Sequence, residues 1–252
     1  MDDLSTLPTV LLVIVAGAAG FVDAIAGGGG LLTLPALLIA GLPPHLAMGT
    51  NKGQSVFGSG TALIRYAHSP LLDRTRVIEG FPSALVAGAI GTVMVMQVPP
   101  KALSVVVMVL LVAVAIFMIV RKPAPGGQGR IRRAWWVAAI VAAVIAGYDG
   151  FFGPGTGTFL IMAYVALWHD PLDAASANAK VVNFGSNLSS VIVFGLGGLV
   201  AWKVAVPMAV AQIIGGYAGA HLTVRRGQGL VRWLVVAVSL ALVIRMAWQL
   251  FE

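Results

Sequence analysis

The chain has 252 residues, of which 59% are hydrophobic and 10% are charged, and its mean hydropathy is +0.95. Soluble domains carry roughly 25% charged residues, so this composition predicts an all-α polytopic membrane protein. The absence of cysteine excludes disulfides, thiolate metal sites and cysteine nucleophiles. The net charge of +7 does not indicate nucleic-acid binding, because most basic residues lie in short stretches between apolar segments.

Ten apolar segments follow one another along the chain. They cover residues 8–26, 31–42, 46–66, 77–97, 101–120, 134–149, 156–168, 172–195, 203–222 and 230–250. A membrane span needs roughly 20 residues to cross ~30 Å of hydrocarbon. The second and seventh segments are too short for this, since about 12 residues of helix extend only ~18 Å. They are therefore predicted to be half-helices.

Each half-helix follows a glycine cluster. Residues 23–30 read DAIAGGGG and residues 149–156 read DGFFGPGT, so each Asp is followed by Gly at the fourth and sixth positions. Such clusters predict unwound breaks at membrane depth, which are tolerated where they are buried or line a cavity. The alternative interpretation is close helix packing, for which small residues are also used.

The basic residues predict the topology. Three basic stretches join segments 3 to 4, 5 to 6 and 9 to 10, and they are placed in the cytoplasm. Five segments per half then insert the second half upside down. The whole chain, 1–252, is predicted to be one transmembrane domain, with inverted repeats at about 8–120 and 134–250 and a cytoplasmic linker at about 121–133.

Two lysines lie inside apolar segments, and each begins a polar stripe. Lys52, Ser55 and Ser59 share one helix face, as do Lys180, Asn183 and Asn187. Lysines at such depth usually mark a pathway or a partner, although both could instead snorkel to the nearer interface. Helix N-termini and lysines together favour a small anion. The further predicted substrate-binding residues are Asn51, Gln54, Gly28, Gly29, Gly155, Thr156 and Thr158.

Asp23 and Asp149 immediately precede the two breaks. Three roles remain open for them: proton coupling in the cavity, ion pairing with Lys52 and Lys180, or capping of the backbone freed at the break. A metal site is not predicted, because His45 and His169 lie in interfacial turns beside prolines.

The paired motifs resemble the TauE/SafE family of membrane permeases, described as sulfite and organosulfonate exporters. The resemblance rests on DAIAGGGG at 23–30, GTNKGQSVFGS at 49–59, GYDGFFGPGTGT at 147–158 and ANAKVVNFGSN at 177–187. It covers nearly the whole chain and implies export of small sulfur-containing anions. Where the family often has Thr before the second Lys, this chain has Ala179.

The predicted function is therefore a secondary transporter of the inner (plasma) membrane that exports a small anion such as sulfite, a sulfonate or a related organic anion. The alternatives are an anion channel on the same scaffold, an assembly factor without a substrate, and an intramembrane enzyme using Ser59. The expected partners are the anion, membrane lipid and a coupling proton or sodium ion. No enzymatic activity, cofactor, metal or nucleic acid is expected.

Overall fold

The computed structural model describes residues 6–120 and 135–227, which contain nine α-helices and no strand. The helices are α1 (Thr6–Ala26), α2 (Gly30–Ile39), α3 (Pro44–Ala67), α4 (Arg74–Met96), α5 (Pro100–Val120), α6 (Trp135–Phe151), α7 (Thr156–Trp168), α8 (Leu172–Leu196) and α9 (Trp202–Arg226). They match the first nine predicted segments within a few residues. The predicted tenth segment, 230–250, and the linker, 121–133, lie outside the described residues.

Four of these helices are long and apolar enough to cross a bilayer. They are the stretch Thr9–Ala26 of α1 and the whole of α4, α8 and α9. In contrast, α2 has 10 residues and α7 has 13, as expected of half-helices. The all-helical architecture is that of a polytopic membrane protein.

Helix α4 places small residues inside and large apolar residues outside, the reverse of the size order in a soluble core. On α4, Ala84, Gly88 and Gly91 are buried, whereas Val86 and Ile90 are exposed. Lipid solvates large apolar side chains well, so helices in a bilayer associate through small residues that allow close backbone approach. The exposed apolar face of α4 therefore fits contact with lipid.

The two halves exchange their fourth helices. Helix α4 of the first half packs against α6 and α8 of the second, and α9 of the second half packs against α1 and α3 of the first. The contacts correspond in detail, because Gly88 lies against Ser186 and Gly216 lies against Gly58. Each half therefore completes its packing only with a helix from the other.

Helices α3 and α8, which carry the two lysines, run antiparallel at the centre of the molecule. Three pairs of neighbours show this direction: Gly60 with Phe184, Gly53 with Val191 and Gly49 with Phe194. Equivalent helices that run in opposite directions are what an inverted repeat requires. The inverted repeat itself and the orientation of its axis relative to the membrane stay predictions.

Both glycine clusters interrupt the helices, as predicted. The chain leaves α1 at Ala26 and enters α2 at Gly30, and it passes Gly27 with a φ of 76°. It leaves α6 at Phe151 and enters α7 at Thr156, through Gly153 and Gly155 with φ values of 98° and 86°. Side chains with a Cβ rarely adopt these left-handed conformations, so glycine is needed at each turn.

Candidate functional site: two crossed ion pairs between the helix breaks

Each buried lysine forms an ion pair with the aspartate of the opposite half. Lys52 Nζ lies 2.8 Å from Asp149 Oδ1, and Lys180 Nζ lies 2.7 Å from Asp23 Oδ2. The side chains of Lys52 and Lys180 are only 3% and 0% exposed. Snorkelling is therefore the wrong interpretation, and of the roles considered for the aspartates, ion pairing is the one observed at both positions.

Asp149 is enclosed by hydrogen-bond donors. Its Oδ1 accepts hydrogen bonds from Lys52 and, at 3.0 Å, from the hydroxyl of Thr156. Its Oδ2 accepts from the hydroxyl of Ser186 and, at 3.5 Å, from the amide of Asn183. Lys52 also donates to Asn187 Oδ1 at 3.1 Å. The Thr156 hydroxyl shares its one proton between Asp149 and the Gly153 carbonyl, 2.6 Å away. Lys52 and these polar groups together compensate much of the cost of burying the charge.

Asp23 has fewer partners. Besides Lys180, it accepts only the backbone N–H of Gly29, at 3.3 Å, among the hydrogen bonds of the described residues. That N–H belongs to the turn that enters α2, so Asp23 partly caps the freed backbone. Its side chain remains 18% exposed, compared with 2% for Asp149.

A polar pocket lies between the two breaks. Its empty volume is about 310 Å³, including its open mouth. It is lined by Asp23, Gly27, Gly30, Asn51, Lys52, Ser55, Asp149, Gly153, Gly157, Asn183 and Asn187. The N-termini of α2 and α7 meet there, so the positive ends of two helix dipoles join Lys52 in favouring negative charge. The first break touches the first turn of α7, since Gly27 and Gly157 are in backbone contact.

The structure brings seven of the predicted site residues to this pocket. These are the two aspartates together with Asn51, Lys52, Ser55, Asn183 and Asn187. Lys180 lies behind Asp23 and does not line the pocket itself. The glycines Gly28, Gly29 and Gly155 shape the breaks without lining the pocket.

Four other predicted residues also lie away from the pocket surface. Thr158 donates to the carbonyl of Ala26 and so caps α1 of the other half. Ser59 donates to carbonyls of its own helix, Gln54 donates to Asn51 and Ser55, and Thr156 donates to Asp149. Their hydroxyl or amide groups support the site, because short polar side chains on packed helices satisfy the nearest free backbone or carboxylate group.

Sequence reasoning missed several supporting residues. Ser186 contacts Asp149, Thr33 on α2 donates to Asn51 Oδ1 at 2.5 Å, and Ser176 donates to the last carbonyls of α1. Ser186 stands six residues after Lys180, between the predicted Asn183 and Asn187, so its place in this polar segment was a usable signal. Thr33 and Ser176 stand in ordinary apolar surroundings, and their roles depend on cross-helix contacts.

The protein-family model described as "Sulfite exporter TauE/SafE" matches residues 12–246. The chain belongs to the TauE/SafE family.

Its curated relatives are named as transporters. A "Probable membrane transporter protein ORF9" from Sinorhizobium sp is 38% identical over 98% of this chain and 95% of its own length. A "Probable membrane transporter protein" from Haemophilus influenzae is 35% identical over 95% of this chain and 94% of its own length. The "Probable membrane transporter protein YfcA" of Escherichia coli is 36% identical over 94% of this chain and 88% of its own length. No solved structure matches the chain.

Family membership and architecture agree. A TauE/SafE chain with four helices able to span a bilayer is a membrane transporter, located in a membrane. Within the described residues, no cluster of three or more His, Asp or Glu side chains could hold a metal ion.

Proposed function

We propose that this transporter moves a small anion, such as sulfite, a sulfonate or a related organic anion, across the inner (plasma) membrane through the pocket between the two breaks. The observation that carries this proposal is the pair of buried lysines, one in the pocket wall and one directly behind it. The description of the family as a sulfite exporter supports the same class of substrate.

The groups in the pocket suit an anion better than a cation. The two carboxylates that could attract a cation are already paired with lysines. The N-termini of α2 and α7 point positive dipole ends toward the same space. A cation entering here would meet Lys52 and both dipoles, and each of these interactions is repulsive.

One acceptor in the pocket wall is also available. Asn183 is only 6% exposed, and its Oδ1 has no hydrogen-bond partner in the part of the chain that the structure describes. Its amide nitrogen is oriented toward Asp149, which leaves the oxygen for another donor. A bound water or the hydroxyl of a protonated oxyanion would satisfy it, since buried polar atoms are rarely left without partners.

The proposal is tested by anion flux in proteoliposomes. Sulfite and a small sulfonate such as methanesulfonate are the first substrates, and Lys52→Met and Lys180→Met are the test variants. Each removes one positive charge, and we expect flux to fall by at least about tenfold, because an anion then loses a charge-assisted contact. Lys180→Arg should also impair flux, since a planar guanidinium does not replace a compact ammonium.

Lys101→Met is the matched control, because Lys101 lies exposed at the start of α5. It should transport at the wild-type rate. Gel filtration in detergent establishes that each variant is folded. Wild-type flux in both Lys52→Met and Lys180→Met would refute the anion site, and passive, unsaturable flux in the wild type would favour a channel.

A further inference from the structure

The two ion pairs of the site are built unequally. Asp149 accepts hydrogen bonds from Lys52, Thr156, Ser186 and Asn183. Asp23 has Lys180 and one backbone N–H. Breaking the first pair would leave a carboxylate with its donors still converging on it, whereas the second pair is held almost entirely by its lysine.

The sequence accounts for this inequality. Thr156 stands seven residues after Asp149, and the position seven residues after Asp23 is Gly30. Ser186 stands six residues after Lys180, and the position six residues after Lys52 is Gly58. The first half therefore lacks both hydroxyls that hold the carboxylate in the second half.

The carboxylate with fewer hydrogen-bond donors, Asp23, is also the more exposed of the two. The Asp23 side chain is 18% exposed and lines the pocket, and Lys180 behind it is fully buried. Asp23 is thus the carboxylate that solvent and solutes in the pocket can reach. It covers Lys180, whose ammonium group has no other charged partner among the described residues.

We propose, building on the anion-transport function above, that the substrate anion replaces Asp23 as the partner of Lys180, and that Asp23 takes up one proton as this happens. The two lysines and two aspartates sum to zero charge when all are ionised. A monoanion entering this buried site would leave one uncompensated negative charge, which is costly at low dielectric. One proton from water, bound to the Asp23 carboxylate, restores neutrality, so anion and proton move together in a one-to-one symport.

The remaining titratable groups around Asp23 do not offer an equivalent exchange. The groups that face it are Lys180 on α8, Lys52 and Tyr66 on α3, and Asp149 on α6. Helix α2 carries no titratable side chain, Tyr164 on α7 contacts Arg76, and His221 on α9 contacts Arg65. The Tyr66 hydroxyl donates to the carbonyl of Ala24 and already carries its proton.

The test measures how anion affinity depends on pH. Methanesulfonate is the probe, because it stays a monoanion from mildly acidic to alkaline pH and any pH dependence then belongs to the protein. Wild-type affinity should rise by about tenfold for each pH unit of acidification over the range in which Asp23 is ionised, as linkage to one proton requires. Calorimetric titration in buffers of different ionisation enthalpy should count one proton taken up per anion.

Asp23→Asn imitates the protonated carboxyl and removes the internal competitor. It should bind methanesulfonate at least about tenfold more tightly than wild type at alkaline pH, without pH dependence and without proton uptake. Proteoliposomes containing this variant should carry the anion without acidifying the receiving compartment.

The outcomes separate this proposal from the function on which it rests. Anion binding by the wild type with no proton uptake would overturn the Asp23 exchange and leave anion transport standing. Proton uptake is measured on the wild-type protein, so this outcome can be read even if Asp23→Asn does not fold. A folded Asp23→Asn protein that keeps the wild-type pH dependence would also overturn it. No binding of methanesulfonate or sulfite at any pH would count against anion transport itself.

Discussion

Lys52 is enclosed by polar partners that come from the other half of the chain. Asp149 and Asn187 both contact its ammonium group, at 2.8 and 3.1 Å. A buried ion pair contributes little net stability compared with an apolar pair of the same size, but removal of one partner leaves a buried charge without compensation. The stability of this site therefore depends on both partners being present.

This dependence predicts the behaviour of two double variants with equal net charge. Lys52→Met should destabilise the protein by about 3–5 kcal/mol, because Asp149 loses its cation. Adding Asp149→Asn should recover most of that loss. Adding Asp23→Asn should instead lower stability further, since it leaves Asp149 and Lys180 each without an oppositely charged partner. Thermal unfolding in detergent measures the difference. Equal melting temperatures for the two double variants would contradict the crossed pairing.

At the scale of the elements, the short helices α2 and α7 begin beside the contact between the first break and the first turn of α7. Gly27 and Gly157 are in backbone contact, so neither position has room for a Cβ. This contact brings the N-termini of both half-helices to one pocket. Gly27 thus forms part of the first break and also contacts the first turn of α7.

The contact predicts a sharp size limit at Gly157. Gly157→Ala would place a methyl group against the backbone of Gly27, and we expect a loss of about 1–3 kcal/mol, since overpacked sites must shift backbone. Gly147→Ala is the matched control, because its Cβ would meet only the Ala87 carbonyl oxygen at 3.8 Å. Melting temperatures and yields of the two variants give the comparison. A Gly157→Ala protein as stable as Gly147→Ala would show that the breaks do not pack as described.

At the scale of the whole molecule, the exchange of α4 and α9 between halves ties the repeats together. Each lysine helix packs against the fourth helix of the other half, α3 against α9 and α8 against α4. Neither half is expected to fold alone, because each would expose the small-residue faces that the exchanged helix covers.

The predicted inverted topology can be read from single cysteines, since the chain has none of its own. Ala102, Thr75, Lys203 and Arg226 are exposed positions near helix ends. In intact cells, a membrane-impermeant maleimide should label cysteine at 102 and 203. It should label cysteine at 75 and 226 only after permeabilisation, because the basic stretches are placed inside. Labelling of 75 or 226 from outside would refute the topology.

Much of the fold was accessible from the sequence. The nine described helices and both breaks follow from runs of apolar residues and from glycine clusters, which act locally and leave a strong signal. The involvement of Lys52, Lys180, Asp23 and Asp149 was also predicted, because ionisable residues in apolar segments are costly and therefore conspicuous.

The pairing of these charges was decided only in the tertiary structure. Each lysine meets the aspartate of the opposite half. Thr156 and Ser186 contact the Asp149 carboxylate, whereas Gly30 and Gly58 occupy the corresponding sequence positions in the first half. The two ion pairs join residues 97 and 157 positions apart, and they arise because each lysine helix meets a helix of the opposite half. Local sequence determined which residues are polar and where the helices break, because helix formation and hydrophobicity act over short distances. The tertiary structure decided which charges meet and which remains reachable from the pocket, because that depends on how the two halves pack together.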